Sequence, residues 1–120
     1  MRLNGVVPKG WGSEHIFVSN DHYCGKFLVF NAGAKFSMHF HAKKMETWYV
    51  MKGRIKIHVI DTVDASVTTH ELGIDETWTN DPLVPHQIEA LEESVVLEIS
   101  TPDSVEDNYR VAPGDSQCTT

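Results

Sequence analysis

Residues 33–53 read GAKFSMHFHAKKMETWYVMKG, and both the fold class and the chemistry turn on this stretch. It holds two strand-like segments, Phe36–His41 and Glu46–Met51, bracketed by Gly33 and Gly53. Side chains two residues apart on a strand share a face, so His39 and His41 project side by side with Cα atoms about 6–7 Å apart. Two imidazoles so placed converge on one ion, at about 2.0–2.1 Å each in the case of zinc. Glu46 arrives on the next strand after the short connection 42–45 and offers an anionic oxygen. His86, introduced by Pro85, opens a later strand and closes the set with a third imidazole. Three nitrogens and one carboxylate, with positions left open, suit one divalent metal ion. Zinc is expected first, and iron, manganese, nickel and cobalt suit the same donors.

Working outward, the same short-strand pattern covers the rest of the chain. Tyr23–Phe30 (YCGKFLVF) ends at the turn signal Asn31-Ala32-Gly33. After Gly53, the run Arg54–Ile60 places Ile55, Ile57 and Val59 on one face and Arg54, Lys56 and His58 on the other. A polar hairpin loop, Asp61–Ser66, leads into Val67–Leu72, followed by Glu76–Thr79, His86–Ala90 and Val95–Ser100. No segment shows a convincing helical period. Strands at this spacing with turn residues between them predict an all-β sandwich or barrel. One domain over residues 1–110 is expected, with 101–110 forming a short turn or helix and 111–120 a loose tail.

Composition narrows the partners. Seventeen acidic against ten basic residues give a net charge of −7 without a basic run, which argues against nucleic-acid binding. No stretch approaches the roughly 18 apolar residues of a membrane span. The N-terminal residues lack a signal peptide's apolar segment, and the two cysteines, Cys24 and Cys118, form no disulfide framework. A cytoplasmic protein with reduced thiols is expected.

The spacing Gly33-x5-His39-x-His41-x4-Glu46-x6-Gly53 resembles the first metal motif of the cupin superfamily, with every position filled. Residues 73–90 resemble the second motif, with His86 at the ligand position, although the gap from Gly73 is two residues longer and Ala90 stands where Asn is usual. WGSE (11–14), GKFLVFNAGAKFS (25–37), KMETWYVMKG (44–53), HQIEAL (86–91) and LEISTPDSVEDNYR (97–110) occur in order. Together they are similar to the cupin-type mannose-6-phosphate isomerases, including the isomerase domain fused to mannose-1-phosphate guanylyltransferases. The resemblance implies a cupin double-stranded β-helix, a jelly-roll-like barrel. It departs from that family at His39, where the fused isomerases usually carry Gln, and after Arg110, where the closing segment is missing.

The resemblance also implies a reaction, interconversion of mannose 6-phosphate and fructose 6-phosphate, with the metal as Lewis acid and a base moving a proton between C1 and C2. Glu98, in the apolar strand VVLEIS, is the candidate base, with exposure to solvent as the alternative reading. Lys26 is the second candidate catalytic residue and, with Arg110, a candidate for the phosphate. Lys44 and Trp48 are candidate substrate contacts, and Trp48 shares the parity of Glu46. Trp11 and Trp78 read as packing residues, and His15, His22, His58 and His70 as surface or supporting ones. Two other readings stay open: a different cupin enzyme, a dioxygenase or lyase, and a non-catalytic metal- or sugar-binding module. A homodimer is expected, since a helix-poor chain has sheet edges to protect.

Overall fold

A computed structural model describes residues 5–117 of the chain. The strands are β1 Gly5–Lys9, β2 Gly12–Ser19, β3 Cys24–Phe30, β4 Met38–Phe40, β5 Glu46–Lys52, β6 Ile55–Ile60, β7 Val67–Leu72, β8 Thr77–Asn80, β9 His86–Ala90, β10 Ser94–Ser100 and β11 Tyr109–Ala112. They form two antiparallel sheets, ordered β1-β2-β3-β10-β5-β8 and β11-β4-β9-β6-β7. Among the described residues the helical element is a single 3₁₀ turn, Asp115–Gln117. The all-β class read from the sequence is the observed one.

The alternation in each strand decides what lies between the sheets. In β10, Val96 and Glu98 point inward while Val95, Leu97 and Ile99 point out. The inner rows line up across the first sheet: Leu28, Val96 and Val50 form one register layer, and Lys26, Glu98 and Trp48 the next. Across the second sheet, Leu72, Ile55 and Ala90 form a layer, and Ile57 and Ile88 pair beside it. These apolar layers, with Phe30, Phe36 and Trp11, make one core, in which Trp11 stacks on Phe30 with ring centroids 4.6 Å apart. One end of the barrel interior is therefore apolar and the other polar.

Three expectations change. The hairpin β1–β2 has no counterpart in the pattern reading, because its residues are only half-buried or exposed and show no clean alternation. Residues 101–110 form an irregular segment and then enter β11, where Tyr109 stacks on Phe40 at 5.0 Å. The expected loose tail is fastened as far as it is described: Val111 and Ala112 belong to β11, Asp115 accepts the Lys35 amide at 2.8 Å, and Ser116 accepts that of Gly10 at 3.0 Å. Cys118 and the rest of 118–120 lie outside the described residues, as do residues 1–4. Cys24 is a buried free thiol.

The glycines that bracket the central stretch differ in what holds them. Both take positive φ, 79° at Gly33 and 85° at Gly53. A Cβ on Gly33 meets nothing within 4 Å, whereas one on Gly53 would overlap Ser94 Oγ and the Glu93 carbonyl. Gly33→Ala should therefore cost only the left-handed backbone penalty, about 1–2 kcal/mol, and Gly53→Ala clearly more. Urea unfolding of the two variants checks this, and equal losses would show that the close approach of β10 is not a constraint.

Candidate metal centre

The polar end of the barrel collects the histidines. His39 on β4 lies directly opposite His86 on β9, and His41 follows one residue after β4 ends. One ring nitrogen from each of the three lies within 4.8 Å of the others. His86 is 1% exposed and His41 6%. Each imidazole is held from behind by a backbone carbonyl: His39 Nδ1 by Ser37 O at 2.8 Å, His41 Nδ1 by Asp107 O at 2.5 Å and His86 Nδ1 by Val84 O at 2.9 Å. A carbonyl oxygen only accepts, so each Nδ1 carries a proton, and a neutral ring then presents its Nε2 lone pair. That is the arrangement by which proteins aim imidazoles at a metal.

One buried atom tests the fit. His86 Nε2 stands 2.8 Å from Glu46 Oε1, yet the two lack hydrogen-bond geometry, and this nitrogen has no hydrogen-bond partner among the described residues. A buried ring nitrogen left without a hydrogen bond costs about 1–3 kcal/mol unless something binds it. A metal ion accepting three imidazole lone pairs satisfies that requirement. Burial, reinforced by His86 and His41, pushes His39 down to about 3, so its imidazole stays neutral and able to ligate.

Glu46, the expected fourth donor, stands beside this group and not within it. Its Oε2 is 3.4 Å from Lys44 Nζ and its Oε1 accepts from Asn80 Nδ2 at 3.4 Å. Despite burial, His86 and Lys44 hold its carboxyl below the ordinary carboxylate value.

The remaining candidates gather around a cavity of about 260 Å³ lined by His39, His41, Lys26, Lys44, Glu98 and Arg110 among others. Glu98 is 4% exposed and faces the interior, which removes the alternative of a solvent-facing carboxylate. Its Oε1 accepts from Trp48 Nε1 at 3.0 Å, and its Oε2 lies 3.2 Å from Lys44 Nζ and 3.6 Å from Lys26 Nζ. Burial works against the charge on both lysines, but Glu98, with Glu46 and Asp103 around Lys44 and Glu14 and Asp103 around Lys26, raises both above the ordinary ammonium value. Trp48 is fully buried, so it contributes to the wall and to fixing Glu98. Arg110 is exposed and pairs in register with His39 across β11 and β4. Trp11 lies in the core and Trp78 packs against it, as packing residues do.

Sequence reasoning missed the two aspartates that fasten the site. Asp107 accepts the amides of Ala42, Lys43 and Lys44 at 2.7, 3.1 and 3.1 Å, clamping the connection between His41 and Glu46. Against the opposing effect of desolvation, those amides hold its carboxyl below the ordinary value. Asp103 bridges Lys26 and Lys44. Both sit in TPDSVEDNYR, where no periodicity marks them. Glu14, 3.3 Å from Lys26, lies in the WGSE block and has no role visible from the sequence.

No protein-family model matches the chain, and no curated protein matches it. Solved structures do. An oxalate decarboxylase from Bacillus subtilis superposes with a TM-score of 0.76 at 19% identity over 88% of this chain. KdgF from a Halomonas species gives 0.68 at 18% identity over 78%. The capsular polysaccharide assembling protein CapF from Staphylococcus aureus gives 0.79 at 18% identity over 93%. The chain spans 29% of the oxalate decarboxylase, 81% of KdgF and 33% of CapF. At such identities the likeness establishes the fold, and the chain has the cupin fold, a jelly-roll-like two-sheet barrel. No helix among the described residues is long and apolar enough to cross a membrane.

Metal-stripped protein titrated with Zn²⁺ should bind one equivalent and rise in thermal midpoint, a gain of about 2.7 kcal/mol at a hundredfold excess over Kd. His41→Ala and His86→Ala should each lose that rise. Undiminished binding in either variant would place the ion elsewhere.

Proposed function

We propose that this chain is a metal-dependent sugar-phosphate isomerase of the mannose 6-phosphate/fructose 6-phosphate type, with His39, His41 and His86 as metal ligands and Glu46 as the fourth. The observation that carries this reading is a group of three imidazoles, two of which line the cavity, set beside a buried carboxylate–diammonium cluster that lines it too. The resemblance to the cupin-type isomerases supports the same reading. When bound, the ion supplies Lewis acidity toward a carbonyl oxygen.

The rest falls to side chains of this protein. Glu98 is the base that moves a proton between adjacent carbons, and Trp48 Nε1 fixes its orientation. Lys26 and Lys44 pair with Glu98 and face the anionic end of the substrate. Arg110, with its planar donor fork, is a further phosphate contact at the mouth, beyond the two lysines.

The three-imidazole set favours one competing reading, a dioxygenase or lyase on the same ligands, because imidazole suits iron, nickel and copper as readily as zinc. A coupled assay of mannose 6-phosphate conversion on metal-replete protein decides between them. Turnover is expected, and Glu98→Gln should lower it by about 10²–10⁴-fold while leaving metal content unchanged. Oxygen consumption with copurified iron, and no isomerase turnover, would sink the proposal.

A homodimer is part of the proposal. The outer face of the first sheet exposes Phe17, Tyr49, Met51 and Ile99, with Leu97 and Val95 between them half-buried, and such an apolar face is covered in stable assemblies. Light scattering at micromolar concentration should return twice the 13.5 kDa chain mass, and a strict monomer would overturn it.

A further inference from the structure

Asp103 lies on the irregular segment between β10 and β11. Its carboxylate spans both pocket lysines, with Oδ2 3.0 Å from Lys26 Nζ and Oδ1 3.3 Å from Lys44 Nζ. Glu98 holds the same two ammoniums from the strand side. The two carboxylates are anchored very differently. Glu98 is buried on β10 and fixed by Trp48. The Asp103 side chain is 33% exposed and, among the described residues, is the one polar tie between 102–106 and the barrel.

Both flanks of that stretch are fastened. The Thr101 amide donates to Met45 O at 3.0 Å, and Asp107 grips the 42–44 amides. Between them Val105 is 95% exposed, and among the described residues Ser104 bonds to Glu106 and to the Asp107 amide alone. Asp103 can therefore withdraw while strands, core and histidines stay in place.

Charge makes the withdrawal consequential. Glu14, Glu46, Glu98 and Asp103 all face the two ammoniums, and withdrawing Asp103 takes one carboxylate contact from each lysine while the buried carboxylates stay in place. An incoming oxyanion can take up the two charge-assisted contacts that Asp103 gives up. The position also suits chemistry: Lys44 Nζ is 3.4 Å from Glu46 Oε2, and Glu46 Oε1 is 2.8 Å from His86 Nε2, so the site is one carboxylate away from the histidine group.

We propose that Lys26 and Lys44 form an oxyanion subsite, that Asp103 fills it in the free protein as a stand-in, and that the terminal phosphate or carboxylate of a substrate enters by displacing Asp103. This deepens the reading of the cavity as a sugar-phosphate site and rests on it for the identity of the ligand alone. Asp103 thereby sets a threshold: a neutral sugar cannot displace it, and an anionic one can.

The test uses metal-loaded protein and inorganic phosphate, with calorimetric titration as readout. Asp103→Asn should tighten phosphate binding about tenfold, the equivalent of one charge-assisted hydrogen bond no longer competing. Glu106→Gln removes the same charge from the same segment without touching the lysines, and should change the affinity by less than about twofold if the effect is site-specific. In the wild type, saturating phosphate should speed amide hydrogen exchange across 102–106. Unchanged affinity in Asp103→Asn, an equal gain in Glu106→Gln, or slower exchange would each overturn the proposal. Acetate in place of phosphate separates the sources, since a gain with either probe supports the subsite and its size names the preferred group. Tighter phosphate binding by Asp103→Asn without mannose 6-phosphate turnover would leave the subsite standing and remove the isomerase.

Discussion

Three backbone carbonyls, of Ser37, Val84 and Asp107, each take the Nδ1 proton of an imidazole at the polar end of the barrel. These bonds fix the tautomer and the ring plane together, and they do so with main-chain atoms already placed by the folding of the sheets. Two of the carbonyls are local, two residues before their own histidines. The third comes from the far side of the sequence, and through it the metal-binding geometry depends on how the segment after β10 is held. Asp107 is therefore a double clamp, with its main chain on His41 and its carboxylate on the loop that separates His41 from Glu46.

The charged layer next to the histidines obeys a different constraint. Lys26, Lys44, Glu46 and Glu98 are all at most 5% exposed, and burying any one of them alone would cost several kcal/mol. They are tolerated because each charge has an opposite charge within 3.6 Å. Such a network adds little net stability over a well-packed apolar layer, and removing a single partner is what destabilises, by about 3–5 kcal/mol. A layer that expensive, placed directly beside a metal-competent group and open to a cavity, is better accounted for by binding than by folding.

The sequence made the strands and the histidines legible for the same physical reason. A two-residue period with branched apolar residues marks β6, where Ile55 and Ile57 prove fully buried, and His39-x-His41 reads as one face by that same period. Glu98 was visible only as an oddity, a carboxylate in an apolar strand whose phase could not be set because Val95, Val96, Leu97 and Ile99 are apolar at both parities. The cross-strand register with Lys26 and Trp48 settles the phase, and register is a property of three strands, not of one. Asp103 and Asp107 were illegible because their partners lie 59 to 77 residues away in the chain and their own segment has no regular structure. The β1–β2 hairpin escaped notice because an edge ribbon with half-exposed faces carries no hydrophobic rhythm.

The carbonyl that orients His41 belongs to a residue 66 positions further along the chain. On a translating ribosome, His39, His41 and Glu46 emerge first, then His86, and Asp107 last. At about 5–20 residues per second the interval from His41 to Asp107 is on the order of 3 to 13 s. Throughout that interval the nascent chain displays imidazoles without the bond that aims one of them. The geometry that aims His41 therefore exists only once the segment after β10 has folded back onto the barrel.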